Sequence, residues 1–310
     1  MESVVPTTSM SQEDRASKAV PLSVILPVRN EVLNVRAALE SVRGWVDEIW
    51  IVDSGSSDGT LDIAREYTDN IVQCQYAGHD AKKRNWSIDN LPFRNEWVLI
   101  LDADERITPE LRAEIASAIK SDNADGYYLD REYIFLQRSL KCFRPNWNMR
   151  LLKHRLGRYE ALGTNVPATG DNEVHEHLLL KGRTAFLRHP MLHEDFRPLR
   201  AWVDNHNRYS DWEAQVYQTL RKEPVTVKGL QIPVERNRQL KRLWVRLPFR
   251  PLARFAYFYF VKGGLRDGRE GFLYCVLMGY YEFLIGVKLR ELQKTHEQTP
   301  EAKPVGLQPD

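Results

Sequence analysis

The chain has 310 residues, enough for one large domain or for a domain with an accessory region. Its 44 basic and 42 acidic residues nearly cancel, so overall charge gives no reason to expect nucleic acid as a partner. Cys74, Cys142 and Cys275 lie far apart with no CxxC or histidine-associated cluster, which speaks against a disulfide framework or a zinc site and suits a reducing compartment.

Residues 1–20 are polar, carry both charge signs and lack the apolar core of a signal peptide, so they read as a disordered leader. The run LSVILPV (22–28) is short, branched and apolar, as a strand buried on both faces requires. Helical spacing of Val35, Ala38, Leu39 and Val42 follows over 34–43. Then come a strand over 48–53, a helix over 60–67, a strand over 70–75 and a helix over 81–89. A strand over 96–104 and a helix over 108–121 complete the series. Thr108 suits the N-cap of that helix and Pro109 its first position, although Leu111 stands where a capping box wants an acid or amide.

This alternation predicts an α/β unit with a parallel sheet and helices on both faces. In such sheets ligands bind beyond the carboxyl ends of the strands. Asp53 ends the strand IWIVD there, and the small polar run SGSSDG lets the chain bend closely around a ligand. Asp58-Gly59-Thr60 opens a helix whose free N–H groups favour an oxygen-rich group. No GxGxxG follows any strand and no GxxxxGK[ST] is present, which removes the dinucleotide and phosphate-loop readings.

Other strand ends are also polar. The first finishes LPVRNE, placing Arg29, Asn30 and Glu31 at the rim, and the third is followed by GHDAKKRN, with Lys82, Lys83, Arg84 and Asn85. The fourth ends LDADE. In an extended chain Asp102 and Asp104 face the same side, and two such carboxylates repel unless a cation lies near, Mg²⁺ or Mn²⁺ being suited to hard oxygen ligands. A solvated turn is the plainer alternative for this DxD.

The segments SVILPVRNE, IWIVDSGSSDGT, AKKRNW and WVLILDADE together resemble glycosyltransferase family 2, over roughly residues 22 to 200. The later segments VHEHL (174–178) and LRHPMLHEDF (187–196) are similar to those of a narrower group, the bacterial lipopolysaccharide-core β-glucosyltransferases. The resemblance implies a GT-A fold, a Rossmann-like nucleotide-sugar-binding domain over 21–200. It implies that Pro27, Arg29, Glu31 and Asp53 hold the nucleoside, Asp53 reading a uracil edge, with Asp58 framing the pocket. Lys83 or Arg84 would then face the diphosphate, Asp102 the ribose or metal, and Asp104 the metal. A divalent ion and a fixed cation stabilise the charge on a departing nucleoside diphosphate, while a sugar hydroxyl needs a carboxylate base on the opposite side.

Two places offer that base: Glu176 in VHEHL, and Glu194 or Asp195 in LHEDF. The narrower resemblance implies Glu176. His193 would then suit a third metal ligand, a structural imidazole being the alternative. QLKRLW (239–244) nearly spells a QxxRW segment but has Leu243 inserted, and it reads as coincidence, which argues against processive polymer synthesis.

Residues 197–220 are helical in pattern, with Trp202, Tyr209, Trp212, Val216 and Leu220 as a core stripe. Between 236 and 269, ten cations face Asp267 as the sole acid and interleave with RFAYFYFV. The apolar run 272–287 holds Glu282 and is short for a membrane span. Region 201–292 therefore reads as helical and peripheral on an anionic membrane surface, with a solvated basic face as the alternative, and 293–310 as a loose tail. Nucleic acid is disfavoured because no recognition motif accompanies the charge.

The expected function is inverting transfer of a hexose, glucose by the resemblance, from a UDP-linked donor to a lipid-linked glycan such as lipopolysaccharide core. The expected place is the cytoplasmic face of the inner membrane. The competing readings are a polyprenyl-phosphate glycosyltransferase, whose acceptor needs no protein base, a sugar-nucleotide-binding protein without catalysis, and a peptide-modifying transferase.

Overall fold

The computed structural model describes residues 19–74, 83–159, 178–224 and 233–298, which fall into two compact units, the chain passing from the first to the second between Arg197 and Pro198. The first unit grows from β1 (Val20–Val28). It takes β2 (Val46–Asp53) on one side and β4 (Trp97–Ile100) on the other, both parallel, and β3 (Ile71–Gln73) extends the row beyond β2. Helices α1 (Val35–Val42), α2 (Thr60–Ala64) and α3 (Lys83–Asn90) connect them.

The continuous apolar runs are explained by burial on both sides. Val24, Leu26, Ile51 and Leu99 pack against Val35, Ala38, Leu39 and Val42 of α1 and against Leu111 and Ile115 of α4 (Pro109–Ser121). Ile25, Val52, Val98 and Ile100 pack on the opposite face against Ile88 and Leu91. Each wholly buried Val, Leu or Ile contributes about 1.5–3 kcal/mol of hydrophobic stabilisation. Thr108 caps α4 by accepting from the Leu111 N–H at 3.2 Å, and Leu111 itself enters the core, which is why no capping-box acid stands there.

Several expected boundaries move. The helix over 60–67 is α-helical only to Ala64, after which Glu66 and Tyr67 donate to the carbonyls three residues back, tightening the last turn. The strand over 96–104 stops at Ile100. The Glu105 N–H then donates to the Asp102 carbonyl at 2.9 Å, closing a turn, and β5 (Glu105–Arg106) begins a new direction.

Beyond α4 the mainly parallel sheet takes on antiparallel strands. The sheet is mixed and ten-stranded, because β8 (Trp147–Lys153) joins β4 antiparallel and β6 (Gly126–Phe135) joins β8 antiparallel. β12 (Met191–His193) runs parallel to β6 and carries β5 antiparallel on its far edge. Short β7 (Arg138–Ser139) and β11 (Thr184–Phe186) also pair with β6, while β9 (Gly157–Tyr159) and β10 (Leu178–Leu180) form a separate pair.

The second unit is helical: α5 (Leu199–Lys222), α6 (Pro233–Trp244), α7 (Arg250–Ala256), a π-helical turn at Tyr257–Val261, a 3₁₀ turn at Gly264–Asp267 and α8 (Gly268–Gln298). Its core gathers Ala214, Tyr217, Val245, Tyr281, Ile285 and Leu289; of the expected stripe Trp202, Tyr209 and Leu220 pack on its edge and Trp212 is buried, whereas Val216 is only half-buried and the centre of the buried face falls on Ala214 and Tyr217. The apolar run 272–287 is part of a 31-residue helix that continues into the stretch expected to be tail, and this helix is long and apolar enough to cross a membrane.

The ten cations do not in fact face one acid. Arg250 and Arg254 bind the buried Glu282 at 2.8 and 2.9 Å, Arg242 binds Glu223 at 2.6 Å, and Lys241 lies 3.9 Å from Glu213. Helix packing supplies acids that are remote in sequence.

Candidate functional site

The site is built from the loops at the carboxyl ends of β1, β2 and β4. Val28 pairs with Asp53, so β1 and β2 end side by side. Asp53 is buried, and its carboxylate accepts from the Gly55 N–H at 3.1 Å, the Ser56 N–H at 3.0 Å and the Ser56 hydroxyl at 2.5 Å. Burial alone would raise its pKa, but the hydrogen bonds from Ser56, Gln73 and Gly55 outweigh this and hold it below the ordinary value. The carboxylate therefore shapes the SGSSDG loop from within.

The loop after β1 is tied to that loop. Asn30 has a φ of 55°, which its short polar side chain tolerates, and it accepts from the Ser57 N–H at 2.8 Å while its own N–H donates to the Ser56 hydroxyl at 2.9 Å. The Asp58 carboxylate accepts from the Val32 N–H and from the Thr60 N–H, both at 3.1 Å, so it stitches the two loops together as well as opening α2. Pro27 lies on the β4 side of β1, beyond Ile25, whose carbonyl takes the Leu101 N–H. The next donor of this parallel ladder would be the N–H of residue 27, which proline lacks, so the pairing with β4 ends there. Arg29 is exposed at the rim.

Asp102 and Asp104 meet different partners, because the segment 101–104 turns and strand alternation does not apply. Asp102 accepts from Arg84 at 2.6 Å and from Arg150 at 2.5 Å. Arg150 also reaches the fully buried Glu105 at 2.7 Å, and Arg131 lies 3.5 Å from the same Glu105 oxygen. Desolvation would raise the Asp102 pKa, yet Arg150 and Arg84 overcome it and keep the carboxylate ionised far below its usual range. Arg150 is a bulge residue: Tyr127 pairs with Leu151 and Tyr128 with Met149, leaving Arg150 without a cross-strand partner on β6. Such a bulge re-aims a side chain, here into the carboxylates. Lys83, at the start of α3, donates to the Val28 carbonyl at 3.2 Å, which brings it to the end of β1.

Asp104 is met by His193. β12 lies between β6 and β5, with His193 opposite both Tyr133 and Glu105, and the Glu194 N–H donates to the Asp104 carbonyl at 2.9 Å. The His193 Nδ1 is 3.4 Å from an Asp104 carboxylate oxygen, and although buried it makes no hydrogen bond. The Tyr133 ring holds the imidazole edge-on at 4.6 Å. An imidazole nitrogen and a carboxylate oxygen side by side suit Mn²⁺ better than the harder Mg²⁺, which prefers oxygen ligands alone. Among the described residues no three His, Cys, Asp or Glu side chains converge as a complete metal cage. The pair fits an ion that takes its remaining ligands from water and a diphosphate.

Glu31 and Asp195 belong to a third cluster. Asn34, wholly buried, donates to Glu31 and to Asp195 at 2.9 Å each, and accepts from the Phe196 N–H at 2.8 Å. Arg197 grips Asp195 through two nitrogens at 2.8 Å and reaches Glu31 at 3.1 Å. Burial pushes the Glu31 pKa up to about 7 against the pull of Arg197 and Asn34. Glu194 is bound by Arg106 at 3.0 Å. Both residues of the ED pair thus already serve arginines, and for Asp195 the hydrogen bonds from Arg197 and Asn34 outweigh desolvation and hold its pKa below the ordinary value, which makes it a weak proton acceptor. Glu176 and Lys82 lie outside the described residues.

Arg150, Arg131, Glu105, Asn34 and Arg197 were not singled out by the sequence reading. One signal was present: NMRLL sets a lone arginine inside an apolar run, and a buried charge implies a buried partner. The partners themselves are remote in sequence.

Residues 23–170 match the family model described as "Glycosyl transferase family 2". The chain is 24% identical over 276 residues to a protein of Rickettsia felis named an uncharacterized glycosyltransferase, covering 87% of this chain and 89% of that one. It is 26% identical over 281 residues to the lipopolysaccharide core biosynthesis glycosyltransferase LpsC of Rhizobium meliloti, covering 87% and 92%. Among solved structures, S. aureus TarS in complex with UDP-GlcNAc aligns over 89% of this chain and 91% of that chain, with 14% identity and a TM-score of 0.45, a likeness too distant to bear on substrate or mechanism.

Proposed function

Because this chain carries a glycosyltransferase family 2 domain, we propose that it transfers a hexose, glucose in the first instance, from a UDP-linked donor to a hydroxyl of a lipid-linked glycan of the lipopolysaccharide-core kind. The observation that carries the reading is the Asp104–His193 pair, a carboxylate and an unbonded imidazole nitrogen 3.4 Å apart at the mouth of the parallel strands. The whole-length likeness to a relative named for lipopolysaccharide core biosynthesis supports the acceptor class.

In this reading the loops held by Asp53, Asn30 and Asp58 form the nucleoside pocket, with Pro27, Arg29 and Glu31 on its β1 side. Asp104 and His193 would hold a divalent ion, which would supply Lewis-acid stabilisation of charge on the leaving diphosphate. Lys83 adds a positive charge at the end of β1. Asp102 orients Arg84 and Arg150, so their guanidinium groups stay fixed and need no reorganisation as charge develops. Glu176 takes the proton of the attacking hydroxyl, and a single displacement inverts the anomeric centre. The reaction takes place at the cytoplasmic face of the inner membrane, where nucleotide sugars and a lipid-held acceptor meet.

The test supplies purified protein with UDP-glucose, UDP-galactose and UDP-N-acetylglucosamine, with Mn²⁺ or with a chelator, and measures UDP release and product configuration. Metal-dependent release from UDP-glucose and a β-linked product are expected. Failure to consume any nucleotide sugar overturns the reading. Retained turnover in Glu176→Gln points instead to a polyprenyl-phosphate acceptor, which needs no protein base.

A further inference from the structure

Helix α8 is apolar on two faces. One face, with Tyr274, Cys275, Tyr281, Ile285 and Leu289, is buried within the second unit. The other carries Phe272, Val276, Tyr280, Phe283 and Val287, all exposed, at spacings of four, four, three and four that keep them on one stripe. The stripe does not end with the helix. Phe272 packs on Phe255 at 5.8 Å and on Tyr259 at 5.6 Å, and Phe255 meets Phe260 at 6.3 Å. The π-helical turn thereby continues the apolar surface to Phe260 and Val261, 65% and 74% exposed, and the 3₁₀ turn adds exposed Leu265. A contiguous exposed apolar surface bordered by charged residues is the mark of an interaction site.

Charge at this corner is mainly positive, with Glu270 as a half-buried acid beside Arg269. Arg266 and Arg269 are exposed beside Leu265, with Lys262 next to Val261, whereas Asp267 and Glu282 are buried. Exposed aromatic and aliphatic side chains bordered by arginine complement an anionic lipid surface. The inner face of α8 argues against a span, because Glu282 is locked to Arg250 and Arg254 and its neighbours pack on Ala214 and Tyr217 of α5. Insertion across the bilayer would strip that face of its partners.

We propose that this surface docks the second unit on an anionic bilayer, with α8 lying along the membrane and Phe260, Val261 and Leu265 entering the boundary between headgroups and acyl chains. The inference deepens the reading of a lipid-linked acceptor by naming what holds the enzyme at the lipid, and it rests on that reading for its purpose only. Attraction is chiefly apolar, since Lys241, Arg242, Arg250 and Arg254 already have acidic partners within the unit.

Sedimentation of the full chain with phosphatidylcholine–phosphatidylglycerol vesicles tests this. Binding should fall only a few-fold, about threefold, between low and high salt, because salt screens the exposed cations and leaves apolar insertion intact. The double variant Phe260→Asp, Val276→Asp should lower the partition coefficient about tenfold or more. Leu136→Asp, an exposed apolar position of the first unit, should leave it unchanged. Thermal unfolding of each variant establishes that it is folded. Absence of binding at low salt, or undiminished binding by the double variant, overturns the proposal. So does a dimer that the double variant dissociates, which would make a second copy the occupant. UDP release on the same preparations reads the reaction separately: vesicle binding without release removes only the transferase reading, and release without vesicle binding removes only this one.

Discussion

Asn34 and Asp195 stand 161 positions apart in the chain, yet the Asn34 amide donates to the Asp195 carboxylate over 2.9 Å. This bond and the Phe196 N–H to the Asn34 carbonyl oxygen fasten the loop after β1 to the segment that delivers His193. One buried amide therefore links the expected nucleoside side of the site to the expected metal side.

Asn34→Ala should destabilise the first unit by about 2–3 kcal/mol, because Glu31, Asp195 and the Phe196 N–H each lose a buried partner. Asn34→Asp should be worse, as it sets a third carboxylate beside Glu31 and Asp195. Urea denaturation of the three proteins checks the order; a variant as stable as the parent would show that the amide carries no such link.

Asp104→Asn should weaken Mn²⁺ binding by about tenfold or more, because an amide oxygen is a poorer ligand than a carboxylate for a hard cation. The fold should survive, since Asp104 lies in a turn at the strand ends. Calorimetric titration with Mn²⁺ reads the affinity, and circular dichroism reads the fold. Unchanged affinity removes Asp104 from the metal.

Asp53→Ala should raise the donor KM about tenfold, with a smaller fall in kcat, because the SGSSDG loop loses the acceptor that orders it and the lost contact serves ground and transition states alike. Asp53→Asn keeps one acceptor oxygen for Ser56 and should recover part of the loss. Steady-state kinetics on the three proteins decides, and a defect confined to kcat would assign Asp53 to the chemical step.

Glu31 gives a pH dependence of defined sign. Its folded pKa, about 7, lies above its ordinary 4.5, so the folded chain holds a proton that the unfolded chain releases. Stability from this group is full below the unfolded pKa and is lost as pH rises through the folded one, a change on the order of 3 kcal/mol. Urea unfolding at about pH 5 and about pH 8 should therefore show Glu31→Gln gaining on the parent at the higher pH. An equal difference at both pH values would show that Glu31 stays ionised throughout.

Glu282→Gln should destabilise the second unit by about 3–5 kcal/mol, because Arg250 and Arg254 are left with a buried charge and no counter-ion. Thermal unfolding followed by far-ultraviolet circular dichroism measures the loss of helix. A shift of less than a degree or so would mean that water replaces the carboxylate.

The sequence by itself determined the four parallel strands β1 to β4, because a strand buried on both faces must be a continuous apolar run and its ends must turn polar. That rule places Asp53, Asp58, Lys83 and Asp104 at one edge from the sequence alone. It determined α4 through Thr108 and Pro109, and the core role of most of the α5 stripe through helical spacing. These signals are local: each is contained in a window of a few turns or one strand.

Only the tertiary structure decided which charges meet. Arg150 reaches Asp102 through a bulge, His193 reaches Asp104 through a three-residue strand lying between β6 and β5, and Arg250 and Arg254 reach Glu282 across a helix contact. Extended and turned readings of DAD were both open from sequence, and the structure decides for the turn, because strand alternation holds only while a neighbouring strand keeps the chain extended, and β4 ends at Ile100. Electrostatic partners are chosen by distance in space, and a buried ion finds its counter-ion wherever packing brings one, however far along the chain it lies.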